Sequence, residues 1–469
     1  MLYNKHNIFM KTSYIGGFIM PDKFIYPTEP LHPAAKPVRP APGEKPAKPP
    51  AHSVWFTHDP AIYHDPVTKD YFLYCTDAKC MRSHDMITWE TLKRAVEEPP
   101  KEAVEWTGSK AIWAPDIVKV GEEYRLYCSN SSFGVQQSCI FLAVSEKAEG
   151  PFIPRGIVFK SSDRLNVNAI DANIIEDVRT HKQYMAYGSF WGGCHLIELD
   201  KETGLAKTPD DIGICLARRP KWMDGAIEGS YIIYNEDTDY YYLFVSYASL
   251  KSDYNIRVGR SRNVTGPYFD QNGRDMSDLN DDDNTLGFMI SCGYKFDDDP
   301  TGFMGPGHNS VLHDFDGEWY MIYHIREHNF RGGEPSTLHI RKMLWTDEGW
   351  PVVSPENYTG EKLQPVTAKM VCGNYERIKL IPMIPQGMLT SVKMALFENG
   401  KGMLADSIHI QWELSDEHTI TLRYANITEK LKVLAAWDYE AWKPTLVLTG
   451  TDNKNICIWG KKYEFSPSF

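Results

Sequence analysis

The sequence has no surplus of basic charge. Its formal net charge is -12, and no stretch gathers lysine and arginine into the face that a polyanion partner needs, which excludes nucleic acid. No run approaches the roughly 20 apolar residues of a membrane span, so no membrane partner is read either. Its nine cysteines, at 75, 80, 128, 139, 194, 215, 292, 372 and 457, are odd in number and scattered. Cys75 and Cys80 have no second pair at zinc-site spacing. These read as buried free thiols in a reducing compartment, which favours the cytoplasm over secretion or the periplasm. The first twenty residues are broken by Lys5 and Lys11 and show no apolar core followed by a small-residue cleavage site. No secretory leader is therefore read, and Met20 serves equally well as the start.

Sustained helical periodicity is also scarce. From residue 55 the chain runs in short stretches of Ile, Val, Tyr, Phe and Leu split by polar turns, which reads as mainly β. Aromatics reach 13%, with 26 Tyr and 13 Trp, a composition suited to sheet faces and to the flat apolar faces of sugars. Before this region, Pro27 to Pro50 holds nine prolines in 24 residues, a stiff arm without a core of its own. The length, 469 residues, suggests more than one domain. We expect an N-terminal extension and linker over 1–50, a catalytic domain over 51–373, and over 374–469 a smaller antiparallel β domain, sandwich or barrel, carrying stretches such as "HTITLRY" and "TLVLTG".

Aligning the apolar runs exposes an internal repeat, beginning at Asp59, Ala114, Asp171, Glu228 and His308 with spacings of 55, 57, 57 and 80 residues. Each unit is a short strand, a polar turn and a Tyr-rich strand, which predicts a five-bladed β-propeller. In that architecture the same register of every first strand faces a central channel. Three of the five aligned first positions are then carboxylates and a fourth is histidine. Converging acids are costly unless solvated, paired or metal-bound, and such a cost marks function. The triplet His-Asp-Pro occurs twice, at 58–60 and 64–66. Register selects Asp59, whereas Asp65 falls in the turn "HDPVTKD", where Asp-Pro is ordinary turn chemistry.

Two convergent carboxylates are what glycoside hydrolysis requires: one activates water and the other protonates the leaving oxygen. A third can tune the acid. The motifs "THDPAI", "WAPDIV", "NAIDANI", "YGSFWGG", "IEGSYIIY", "GPGHNSV" and "LHIRKMLWTDEGWPVVSP" together resemble glycoside hydrolase family 43, in particular its endo-1,5-α-L-arabinanases with an extra C-terminal β domain. The resemblance implies an inverting hydrolase of linear arabinan. Asp59 would be its general base, Glu228 its general acid, and Asp171 the residue that tunes and orients the acid. It further implies that His308 reaches a hydrated calcium ion in the channel, a plain channel histidine being the alternative. Trp113 and Phe133 match aromatic positions along the substrate groove, and Phe190 and Trp191 are expected to add to its wall. Ala172, Gly229 and Ser230 depart from the family pattern beside these acids. An exo-acting arabinofuranosidase or β-xylosidase, or a non-catalytic sugar-binding propeller, remain the alternatives. The acidic stretches "DLNDDDNTLG" and "YKFDDDPTG" read as a solvated loop, with a surface calcium site as the alternative. Trp412, Trp437, Trp442 and Trp459 are read as core of the C-terminal domain, with sugar platforms as the alternative.

Overall fold

Runs of β-branched and aromatic residues separated by tight turns pair most readily with their own sequence neighbours, and the computed structural model is built that way. It describes residues 24–37, 50, 52–297, 299–328, 335–384 and 387–464, with the backbone of 14–15 and 18–19. The readings made on the remaining residues of the first twenty, and on 38–49 of the arm, lie outside the described residues. Four four-stranded antiparallel sheets and the outer four strands of a larger one form five blades, each strand bonded to its neighbour in sequence. The first strands of the blades are Ala61–His64, Trp113–Val120, Asn173–Glu176, Ile227–Asn235 and Phe303–His313. Each touches the next, and the last touches the first, which closes the propeller around a channel. Val54 and Phe56 bond to Leu338 and Ser336 of the fifth blade and tie the two ends of the ring together.

Side chains staple the blades to one another at two levels. A first strand leaves backbone N–H groups unpaired on its channel edge. The neighbouring blade answers them: Asp116 Oδ2 accepts from Ile174 N at 2.6 Å, Asn173 Oδ1 from Ile232 N at 2.8 Å, and Ser310 Oγ from Ile62 N at 3.2 Å. At the turns, buried carboxylates accept tyrosine hydroxyls of the adjoining blade. These pairs are Tyr124 to Asp65 (2.6 Å), Tyr241 to Asp177 (2.6 Å) and Tyr71 to Asp314 (2.7 Å). The Tyr-rich second strand of the repeat is thus an inter-blade connector. Asp65, read as turn chemistry, sits in its turn and accepts from Thr68 N as well.

The C-terminal domain is a closed barrel of eight antiparallel strands, from Gly373–Lys379 round to Cys457–Lys462. Leu389–Thr390, within this part of the chain, adds a parallel strand to the sheet of the fifth blade. Trp459 packs edge-on against Tyr294 of the propeller, 5.3 Å between ring centres. Trp412 and Trp437 are also buried, and Trp442 is covered by His32, stacked at 3.9 Å. None of the four offers a free sugar platform. His32 belongs to the Pro-rich arm, which together with the residues just before it straps the barrel to the propeller: Phe24 and Tyr26 pack on the barrel core, and Trp55 Nε1 donates to Ala34 O at 2.8 Å. The acidic stretch is more than a solvated loop, because Asp281 is buried and accepts from Thr285 N and Leu286 N.

Candidate active site

The repeat brings its first positions to one end of the channel. Asp59, Asp171 and His308 have left-handed backbones, with φ of 52°, 64° and 49°. Each is held in a conformation that costs a non-glycine residue about 1–2 kcal/mol, and such strain clusters at functional sites. Their backbone N–H groups donate to side chains at the end of the second strands: Asp59 to His324 Nδ1 (3.2 Å), Asp171 to Ser129 Oγ (2.9 Å) and His308 to Ser246 Oγ (2.7 Å). All seven residues expected in catalysis and substrate binding, Asp59, Asp171, Glu228, Trp113, Phe133, Phe190 and Trp191, line one cleft of about 440 Å³ together with His308. Phe133 stands 80% exposed at its mouth.

The three acids meet different surroundings. Burial would raise the Asp59 carboxyl, but His58, His308 and His324 outweigh it and hold the group well below the ordinary aspartate range. His58 Nδ1 stands 2.7 Å from Asp59 Oδ2 and His308 Nδ1 3.1 Å from Oδ1; Thr76 donates its hydroxyl to Oδ2 at 2.6 Å. Asp171 goes the other way. Burial, then the charges of Glu228 and Asp59, push it well above its usual value, against one weak donor, Gly229 N at 3.4 Å. Glu228 is clamped from both sides: Tyr254 donates to Oε1 and Ser189 to Oε2, both at 2.8 Å. Burial keeps the Tyr254 phenol protonated, and so a donor. One acid is thus held ionised, one is driven towards its neutral form, and a third is locked in position. That division suits acid–base chemistry on one bond.

Several of these partners were not singled out in the sequence. Thr76, Ser129, Ser189, Ser246 and His324 occupy one register, the end of the second strand in each repeat, and the alignment that exposed the acids carries them as well. His58 was in view as part of the first His-Asp-Pro triplet. Tyr254 lies outside both registers. It reaches Glu228 because residue 307 is glycine: a Cβ there would lie 2.0 Å from the Tyr254 ring.

Residues 53–351 match the model of glycosyl hydrolases family 43, and residues 355–460 match a C-terminal lipocalin-like domain. The chain belongs to glycosyl hydrolases family 43. Among its relatives is an extracellular endo-α-(1→5)-L-arabinanase of Thermotoga petrophila, 30% identical, the match covering 86% of this chain and 94% of the relative. A second is an extracellular endo-α-(1→5)-L-arabinanase of Bacillus subtilis, 28% identical over 86% of this chain and 92% of the relative. The crystal structure of the Thermotoga petrophila RKU-1 endo-1,5-α-L-arabinanase with TRIS superposes at a TM-score of 0.78, with 28% identity, covering 88% of this chain and all of that one. These relatives overturn the cytoplasmic placement, since both, alike across both domains, are extracellular enzymes by name. The thiols misled because all nine are free and seven are buried; packed in the sheets they act as small apolar side chains and report nothing about redox compartment.

Proposed function

We propose that this family 43 hydrolase cleaves internal α-1,5 bonds of linear arabinan with inversion. The observation that carries the reading is the opposed environment of the acids within one aromatic-walled cleft. Asp59, held ionised by its imidazoles and Thr76, takes a proton from water as that water attacks the anomeric carbon from the face opposite the leaving group. Glu228 gives its proton to the departing glycosidic oxygen, fixed for that transfer by Tyr254 and Ser189. Asp171, pushed up chiefly by burial, stands beside this acid to tune and orient it. An inverting pair needs its carboxyls roughly 6.5–9.5 Å apart to admit the water.

Endo action is supported by the two-domain relatives, both endo-enzymes by name, and by the groove itself. Phe190 and Trp191 are shared with a second hollow of about 660 Å³ beyond the catalytic cleft, which extends the groove past these rings. Trp113 and Phe133 would stack on successive sugar rings.

The channel ion belongs with this reading. His308 turns Nδ1 to Asp59, leaving Nε2 to reach a cation through its water. Ligand atoms of His58, Asp59 and His324 lie within 4.8 Å of one another. With imidazoles and one engaged carboxylate on offer, a calcium here would keep most of its oxygen shell as water, since that ion prefers oxygen ligands. When bound it would add positive charge beside Asp59.

The test is digestion of debranched linear arabinan, with Glu228→Ala in parallel. A ladder of oligosaccharides appearing early is expected from the native chain, and binding without hydrolysis from the variant. Release of single sugars alone would overturn the endo assignment, and unchanged turnover in the variant would remove Glu228 as the acid.

A further inference from the structure

A second cavity of about 440 Å³ lies apart from the catalytic cleft, where the propeller, the barrel and the Pro-rich arm meet. Asp299, Glu356 and Asn357 come to its wall from the propeller side and Glu440 from the barrel. Carboxylate oxygens of Glu356, Asp438 and Glu440 converge within 4.8 Å of one another. Glu356 and Asp438 are no more than 3% exposed.

The bases nearby do not satisfy these acids. Lys461 Nζ lies 2.8 Å from Glu440 Oε2 and 3.1 Å from Asp438 Oδ1, but 3.5 Å from Glu356 Oε1. Arg341 spends its guanidinium on neutral acceptors, the hydroxyls of Tyr323 and Tyr294 and the carbonyl of Pro355. Glu356 Oε1, Asp438 Oδ2, Asp299 Oδ2 and Asn357 Oδ1 are left buried with no hydrogen-bond donor among the described residues. Asp299 is itself only 5% exposed and lies outside the three-acid cluster, so it is an independent sign of a missing positive partner. Buried acceptors of this kind are answered in native proteins by ordered water or by an ion, and here several of them meet beside one cluster of acids. With four carboxylates against two cations, the pocket carries two uncompensated negative charges when ionised.

We propose that this junction binds a divalent hard cation, calcium by its chemistry, which clamps the barrel to the propeller. The donors are all oxygens, carboxylates plus one amide carbonyl, in an irregular set that suits the 6–8 flexible ligands of calcium better than the strict octahedron of magnesium. The adjoining cavity supplies room for the waters that complete the shell. Lys461 keeps its bonds to Asp438 Oδ1 and Glu440, and the cation takes the oxygens it leaves.

The experiment uses the full chain stripped with EDTA and equilibrated with calcium. Asp438→Asn keeps the Oδ1 contacts to Glu440 N and Ala441 N while weakening the site. The native chain is expected to hold one calcium more per molecule than this variant, and to show a calcium-induced rise in Tm that the variant lacks. Terbium in place of calcium should luminesce through Tyr439 and Tyr358, which line the cavity, and lose that signal in the variant. Asp59→Asn, in the catalytic cleft, separates this site from the channel: under the proposal it still binds calcium at the junction. Equal calcium counts in native chain and Asp438→Asn, or loss of all calcium in Asp59→Asn, would overturn the assignment. So would a native chain indifferent to calcium, whose junction acids would then be neutralised by protons.

Discussion

Thr76→Val is the cleanest perturbation of the proposed base, because it removes one hydroxyl and adds no charge. The hydroxyl donates to Asp59 Oδ2 at 2.6 Å, within the short range of charge-assisted O–H···O⁻ bonds. A hydrogen bond to a charged group is worth about 1.5–3 kcal/mol, and one pKa unit corresponds to about 1.36 kcal/mol, so the carboxyl should rise by about 1–2 units. His58 remains 2.7 Å from the same oxygen and takes up part of the loss, which favours the lower end. Asp59 starts below its ordinary value and is the group that must be ionised. The acid limb of kcat/KM on linear arabinan should therefore move to higher pH by about one unit, with a nearly unchanged plateau. The same sign governs stability. A depressed carboxyl stabilises the fold above its unfolded value of about 3.9 and loses that contribution as pH falls through the folded value. The variant should therefore melt below the native protein at neutral pH, with the gap closing in acid. An acid limb that stays in place while the plateau collapses would refute Asp59 as the ionised base.

Tyr254→Phe and Gly307→Ala should act alike, the first by deleting the donor on Glu228 Oε1 and the second by displacing its ring; each should lower kcat about tenfold, with little change in KM, in steady-state assays. Asp171→Asn should melt higher than the native chain by a margin that grows as pH rises from about 3.9, the unfolded value, towards the raised folded value, because a carboxyl raised by burial and by neighbouring acids costs the fold stability over that window; a pH-independent margin in calorimetry would contradict this. Tyr124→Phe, at an inter-blade staple far from the chemistry, should leave Asp65 buried and short of a donor. It should cost about 1–3 kcal/mol of stability, read by denaturant unfolding, with kcat/KM on linear arabinan unaltered.

Reading the repeat was enough to place Asp59 rather than Asp65 on the channel, because strand register is a local, period-two property and a turn Asp-Pro announces itself. The same register held Thr76, Ser129, Ser189, Ser246 and His324, yet hydroxyls at strand ends are too common in sequences to stand out without their partners. Tyr254 was illegible, since its role depends on the space left by a glycine 53 positions further on. The cysteines show the opposite failure: their number and spacing were read as a sign of compartment when they are strand packing.

Composition and periodicity alone determined that this chain is all-β, that five similar units precede a second β domain, and that three acids and a histidine share one register. These follow from hydrogen bonding between sequence neighbours and from the alternation of side chains along a strand. Only the tertiary structure decided which acid is held ionised and which is driven neutral, that the Pro-rich arm straps two domains, and that orphaned carboxylates meet at their junction. Those properties come from groups far apart in the chain, such as Asp59 with His324 or Glu356 with Lys461, whose electric fields and desolvation act through space and leave no local pattern to read.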